Sequence, residues 1–446
     1  MESFLFVLFT RVVLSRCIIR FQPVDLSDSI KVFTWNRRCL SVVGIWPLKV
    51  YDPIFLFSFV YLAVHCVFGI LDLTNYSKNF DLIVVNITEN MVMLNALIKM
   101  SICRFHRDSL ARFLIKIRKD FKVESYKSRE EILTFFGYNR LSYLFSVTSL
   151  SFMSFISIIY FLRSLVANVQ MVMDNSSFGY QLPYKTRPLV EINDATTYGL
   201  HCLYQVIVLP LITFGSVGYD SFFITLSLHV IAQLSVLKYR VRLALEDPNG
   251  CRCGIKKLIN KHYRLIGLVD ILENAFNLGI LEHLLGTTVN LCVSGYNRSS
   301  NGENLELFLF FIFSSIILST LFAYCYTGEC LIQESTDFAV AFYEYEWYNV
   351  SPMDLKMVLI CMIGASKPLQ LTSGKFFVLS LCTFTHFSYD SNYFSLLDIE
   401  NFNGIPVGVT NVVIIDRSGR TARLDIFVVL HLRMSNAVYG FSHSPR

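Results

Sequence analysis

Charge is scarce in this sequence. Only 16% of its 446 residues are Asp, Glu, Lys or Arg, against 53% hydrophobic and 15% aromatic. That balance excludes an ordinary soluble enzyme and places the chain in a lipid bilayer. The formal charge of +5 is spread over particular loops rather than gathered in one patch, so it is a topology signal and excludes a nucleic-acid partner. The 12 cysteines fall mostly in apolar segments or basic loops, and no disulfide framework is implied. Cys251 and Cys253, with His262 nearby, are two thiols and one imidazole on a basic loop, and we read them as plain thiols rather than a metal site. The sequence has no P-loop, no Rossmann glycine pattern, no Gly-x-Ser-x-Gly elbow and no His-Glu-x-x-His run. No catalytic residue and no cofactor is therefore assigned, and the chain is not expected to be an enzyme. Receptor motifs of the G-protein-coupled kind are also missing. The third span ends in Phe161-Leu162-Arg163 without an acidic-Arg-Tyr triplet, and the last span has no Asn-Pro-x-x-Tyr. At the N-terminus, Phe4 to Phe9 is apolar but lacks a preceding basic residue and a following small-x-small site, so it is expected to stay on the protein as a cytoplasmic amphipathic tail.

What the sequence does have is long apolar runs. Windows of spanning length occur at about Pro53 to Leu71, Leu82 to Ile98, Leu141 to Leu162, Leu203 to His229, Phe276 to Val293, Leu305 to Tyr324 and Leu371 to Leu397, seven in all. The fourth is long enough for two spans, but its flanks differ in charge. Ser164 to Tyr198 holds only Lys185 and Arg187, whereas Lys238, Arg240, Arg242, Arg252, Lys256, Lys257, Lys261 and Arg264 follow it. Opposite sides require an odd number of crossings, so it is one long helix reaching into the cytoplasm. The segment before the first span and the loop after the second are rich in Lys and Arg, while the alternate loops hold almost none beyond Lys78 and Arg298. The positive-inside rule then puts the N-terminus in the cytoplasm and the C-terminus outside. Acceptor sequons at Asn175 and Asn297 fall in loops placed outside; Asn349 falls inside.

Phe342 to Thr385 reads as two helices and a break. Ser351 caps the first, Pro352 sits at its first turn and Asp354 completes a capping box. Pro368 ends it after roughly 15 residues, about 22 Å, too short to cross a hydrocarbon core of about 30 Å. The second is expected from Leu371 to Leu397, roughly 40 Å and long enough to span. Ser373, Phe376, Ser380 and Thr383 would share one face of it. A hydroxyl stripe of this kind fits close helix packing or a face lined by water and ions. Further polar residues lie within spans: Asn86, Glu89, Asn90 and Asn95 in the second, and Asn277, Glu282, His283 and Asn290 in the fifth. They fit interfacial, protonated or paired groups, or else a hydrated path or a coupling network between helices.

Glu344, Trp347, Tyr348, Ser351 and Pro352, then Lys367 to Phe377 and Ser380 to Phe384, resemble the C-terminal signature of insect odorant receptors. Asn36-Arg37-Arg38 with Gly44-Ile45-Trp46-Pro47 is similar to the same family's pre-membrane motif. The resemblance covers about Thr34 to Thr385. It implies an all-α membrane protein with seven transmembrane helices, a cytoplasmic N-terminus, a cytoplasmic helical anchor and a split last helix. Residues 1–51 are then the cytoplasmic N-terminal segment, 52–397 the membrane domain and 398–446 an atypical tail. The implied activity is that of the ligand-binding subunit of an odorant-gated, non-selective cation channel. Its partners would be a small volatile odorant and a shared co-receptor in a hetero-tetramer, within the plasma membrane of a sensory neuron. Gustatory receptors share the architecture, and the Trp347 and Pro368 neighbourhoods steer away from them. A metabotropic seven-helix chemoreceptor is the alternative of another class; a transporter would be expected to show two broken helices, and one is seen.

A ligand site should be a mostly apolar cleft with a few polar anchors. In the outer half of the bundle the candidates are Phe155, Ile159 and Tyr160 on the third span, His201 and Tyr204 on the fourth, and Phe308 and Phe311 on the sixth. Each alone fits core packing; the family's pocket among the second, third, fourth and sixth helices is what groups them. The resemblance also implies that Lys238 to Asn274 with Lys356 to Ile363 form the inter-subunit anchor. It places Ser380 and Thr383 in the pore and Leu396 at an apolar constriction. After Phe384 the chain departs from the family: Asp390 enters the pore segment, and strand-like runs at Val409 to Ile415 and Leu424 to Leu430 follow. A gene-model error would explain this departure as well as a real extension.

Overall fold

The computed structural model describes residues 27–49, 51–74, 80–122, 125–173, 182–188, 190–192, 194–245, 251–299, 304–344, 352–386, 409–415 and 421–427. The chain forms two compact units, Met1–Thr385 and His386–Arg446. The first is helical: α1 Ser27–Val42, α2 Asp52–Leu73, α3 Phe80–Phe105, α4 Arg107–Ile117, α5 Arg129–Met173, α6 Ala195–Val206, α7 Val208–Leu245, α8 Cys251–Ser299, α9 Asn304–Glu344 and α10 Pro352–Ala365. Among the described residues, five stretches are long and apolar enough to cross a membrane: Asp52–Leu73, Leu82–Phe105, Arg129–Val169, Ala195–Leu245 and Phe311–Glu344. They cover the first four expected spans and overlap the sixth over residues 311–324. The fifth expected span lies within α8, where Asn277, Glu282, His283 and Asn290 interrupt the apolar run.

The unit is built around α7, which is buried along nearly all of Val208 to Leu237 and packs against α1, α3, α5, α8 and α9. A helix enclosed on every side must satisfy its polar side chains internally. Thr225 shows how. Its Oγ1 accepts from Asn36 Nδ2 of α1 and from Ser142 Oγ of α5, both at 2.7 Å, and donates to the Ser221 carbonyl at 2.7 Å. The break between α6 and α7 falls at Ile207. Pro210, in the first turn of α7, has no N–H for the Val206 carbonyl and clashes with it, so the helix restarts while the crossing stays single. Gly44 ends α1 in the left-handed region at φ 73°. Its N–H donates to Ser41 O at 3.2 Å and that of Ile45 to Leu40 O at 2.9 Å, the double bond of a Schellman cap. That cap turns Trp46 onto Phe222 of α7, with ring centroids 5.8 Å apart.

The stretch from Leu371 corrects the sequence reading. It is not the start of a spanning helix but a hairpin, β1 Thr372–Ser373 paired antiparallel with β2 Phe377–Val378. Gly374 and Lys375 both take positive φ, 59° and 66°, and the Phe376 N–H closes the turn on Ser373 O at 3.1 Å. Two successive left-handed residues make a primed turn, which a helix cannot contain. Residues 381–386 are helical. Ser373, Phe376, Ser380 and Thr383 therefore do not share a helix face. Leu396, Asp390, Trp347, Ser351 and Asn175 lie outside the described residues.

The second unit contains β3 Val409–Ile415 paired antiparallel with β4 Thr421–Phe427, in register from Val409↔Phe427 to Ile415↔Thr421. The second strand sits three residues earlier than the apolar run from Leu424 suggests.

Candidate ligand cavity and its supporting networks

On α3, Val85, Thr88, Glu89, Val92 and Met93 recur at helical spacing and form one stripe. On α5, Met153, Ile156, Ser157, Tyr160 and Arg163 do the same. With Ile212 of α7, Leu309 and Phe313 of α9, and Tyr184 from the α5–α6 connection, these stripes enclose a cavity of about 90 Å³ open to the centre of a water-sized sphere. One water needs roughly 10–15 Å³ on that measure, so the space admits a molecule of several heavy atoms.

Glu89 is the polar centre of this lining. Its Oε1 accepts the Tyr160 hydroxyl, and its Oε2 accepts the Lys185 backbone N–H at 2.6 Å. No cation lies within ion-pair distance of it among the described residues. The connection that delivers Lys185 is itself fixed. Asn86 Nδ2 donates to Lys185 O at 3.0 Å, and Gln205 of α6 both accepts the Tyr184 N–H at 2.9 Å and donates to Tyr184 O at 3.0 Å. A row of rings runs away from the cavity: Tyr160 to Tyr184 at 5.8 Å, Tyr184 to His65 at 5.8 Å, His65 to Tyr204 at 5.7 Å and Tyr204 to Tyr61 at 5.1 Å.

Of the residues singled out in the sequence, Tyr160 lines the cavity and Tyr204 belongs to the ring row behind it. Ile159 and Phe311 are half-buried beside the lining, and Phe155 and Phe308 point out of the bundle at 62% and 53% exposure. His201 is half-buried, its Nδ1 2.8 Å from Thr197 O one turn back. Sequence reasoning missed Ile156, Leu309 and Phe313 on those same helices, and it read Glu89 as a protonated or paired group or as part of a hydrated path or coupling network, not as part of the ligand site. The available signal was the stripe from Val85 to Met93.

Ser380 and Thr383 form a helix cap. Ser380 Oγ accepts the Thr383 N–H at 3.1 Å, Thr383 Oγ1 donates to Val378 O at 2.9 Å, and Glu329 of α9 accepts the Leu381 N–H at 3.1 Å. The hairpin before them docks on α8, where Glu273 accepts both the Thr372 hydroxyl and its N–H, the latter at 2.8 Å, and Asn277 O accepts the Gly374 N–H at 3.0 Å.

Charged networks tie the helices of the bundle together, and two of them centre on Asp220 and Asp120. In its interior, Lys99 Nζ of α3 donates to Asp220 Oδ1 of α7 at 2.7 Å and lies 3.4 Å from His283 Nδ1 of α8, while Tyr324 of α9 donates to the same Asp220 oxygen at 2.5 Å. The second network joins the turn after α4 to α7 and α8. Asp120 accepts from Arg264 Nη2 at 2.8 and 2.9 Å and lies 3.3 Å from His229 Nε2. Burial pushes the Asp120 carboxyl up, but His229 and Arg264 outweigh it and hold it below the usual carboxylate range. Burial, together with Arg240 and Arg264, pulls Lys261 down to about 8.

Comparison with known proteins names this architecture. The family model described as 7tm Odorant receptor matches residues 79–389. Odorant receptor 13a of Drosophila melanogaster is 28% identical over 158 residues, which is 32% of this chain and 38% of that protein. The odorant receptor coreceptor of Drosophila melanogaster is 28% identical over 147 residues, 31% of this chain and 30% of that protein. The chain thus spans about a third of the length of these curated relatives. The solved structure of the insect olfactory receptor OR5 from Machilis hrabei in complex with eugenol superposes with a TM-score of 0.71 at 12% identity, covering 83% of this chain and 98% of that one. The likeness is one of fold. With the family model matched over most of its length, the chain belongs to the odorant receptor family.

Proposed function

We propose that this chain is the ligand-binding subunit of an odorant-gated, non-selective cation channel, assembled with a shared co-receptor as a hetero-tetramer in the plasma membrane of a sensory neuron. The observation that carries this reading is the cavity between α3, α5, α7 and α9: mostly apolar, with one buried carboxylate, in a chain of the odorant receptor family. The basic loops support a cytoplasmic N-terminus. The Lys238 to Asn274 region with Lys356 to Ile363 would meet its counterparts in the other three subunits beneath the bilayer, and the segment from Ser380 through Thr383 to Leu396 would lead into the pore. Gating then needs a mechanical link from cavity to pore. Here α9 supplies one, since it lines the cavity with Leu309 and Phe313 and holds the start of the last helix through Glu329.

The test is electrical recording from cells expressing this chain with and without a co-receptor during application of an odorant panel. Currents that require both chains and persist in excised patches without GTP or ATP are expected. Loss of all current in the excised patch would favour a metabotropic receptor instead.

A further inference from the structure

The ligand reading of the cavity leaves open which chemistry it selects, and the hydroxyl protons of the lining bear on that. Three of the four hydroxyls that line the cavity have already given their proton to another protein group. Thr88 Oγ1 donates to Val84 O at 2.8 Å, Ser157 Oγ donates to Met153 O at 2.8 Å, and the Tyr160 hydroxyl donates to Glu89. A hydroxyl that has donated retains only acceptor lone pairs. Glu89, with both oxygens accepting, is itself an acceptor, and each oxygen keeps a further lone pair. Arg163, the one cation in the lining, has a partner of its own. Donors remain in the lining at the Tyr184 hydroxyl and the Arg163 guanidinium, while its acceptor surface is centred on the buried Glu89 carboxylate, inside walls that are otherwise apolar.

We propose that the cavity is specific for small, largely apolar molecules carrying one hydrogen-bond donor, a hydroxyl or an amine, which donates to Glu89. Resting on the ligand reading above, this makes Glu89 the specificity-determining residue. Ethers and hydrocarbons of the same length would leave the lone pairs of the carboxylate not used by Tyr160 and Lys185 desolvated and unpaired. A site built to hydrogen-bond a substrate group discriminates strongly against analogues lacking it.

The probes are straight-chain alcohols of six to ten carbons and ethers of equal length, added to the detergent-purified full chain while its thermal unfolding is followed. A bound ligand raises the midpoint in proportion to the logarithm of its concentration over Kd. Alcohols are expected to reach a given stabilisation at concentrations roughly tenfold or more below the matching ethers. Glu89→Gln, whose amide also brings a donor, should bring the two series together. Tyr160→Phe, which frees a lone pair on Glu89 and keeps the ring, should preserve the alcohol preference, so the proposal stays testable if Glu89→Gln does not fold. Val92→Trp fills the cavity and tests the site itself. If Val92→Trp changes neither series, binding lies elsewhere and the ligand reading fails. If Val92→Trp weakens both but alcohols and ethers are equipotent in the parent chain, only the donor specificity fails. Absence of stabilisation by any probe up to its solubility overturns both.

Discussion

Lys99 and Asp220 are a fully buried ion pair, with side-chain exposures of 0% and 8%, and such pairs are poor stabilisers but costly to break. Taking one partner away leaves an uncompensated charge and typically costs about 3–5 kcal/mol, whereas replacing both with apolar residues is often neutral. Asp220→Asn should accordingly lower the thermal midpoint of the purified protein sharply, because Lys99 Nζ loses its counter-charge and shares with Tyr324 only a neutral amide oxygen. The double variant Lys99→Met with Asp220→Leu should recover much of the loss. A double variant as unstable as Asp220→Asn alone would show that the pair does more than balance itself. Lys261 makes a different prediction, since its charge is disfavoured in place. Its folded value of about 8 lies below the ordinary 10.5, so the unfolded chain holds the proton more tightly and the folded state is penalised. The penalty is complete below about pH 8 and disappears as pH rises from there toward 10.5. Lys261→Met should be more stable than the parent at pH 7, with the gap closing across that window; a gap independent of pH would point to packing.

The same physics explains which elements were legible in the sequence. Long helices announce themselves by apolar length, and the first four spans and the sixth fall where the composition puts them. Helix rotation does not, because an apolar helix in lipid is apolar on every side and carries no stripe to separate bundle from bilayer. Phe155 and Ile156 are adjacent and equally greasy, yet one points outward and the other lines the cavity. That is why the sequence reaches α5 and α9 without separating Tyr160, which lines the cavity, from Phe155 and Phe308, which point outward. The hairpin at Thr372 was missed for another reason. Seven apolar residues surround Ser373-Gly374-Lys375, and the apolar run was weighed above the turn signal. Gly374 is where that signal can be tested. Its φ of 59° suits glycine, and a Cβ there would meet Leu281 Cδ2 at 2.6 Å. Gly374→Val should destabilise the hairpin by more than the roughly 1 kcal/mol expected for Ser380→Ala, which removes only a helix cap. Equal thermal shifts for the two variants would argue against a left-handed turn at that position.

At the scale of the whole molecule, orientation decides which surface meets the cytoplasm, and one thiol reports it. Cys253 lies in the first turn of α8, follows the basic run from Lys238 to Arg242 and is an exposed free cysteine. Cys39, Cys66, Cys103, Cys202 and Cys325 are buried and so do not compete for a maleimide reagent that cannot cross membranes. Cys382, the other exposed thiol among the described residues, follows the cap at Ser380. Comparing the parent with Cys253→Ser therefore isolates the signal of interest. If the basic loops are cytoplasmic, as the positive-inside rule requires, the label on Cys253 should be absent in intact cells and appear after permeabilisation. The Cys253→Ser chain should lose that increment alone. Labelling of Cys253 in intact cells would place the basic end outside, reverse every crossing from α2 to α9 and bring back the metabotropic reading, whose receptors face the membrane the other way.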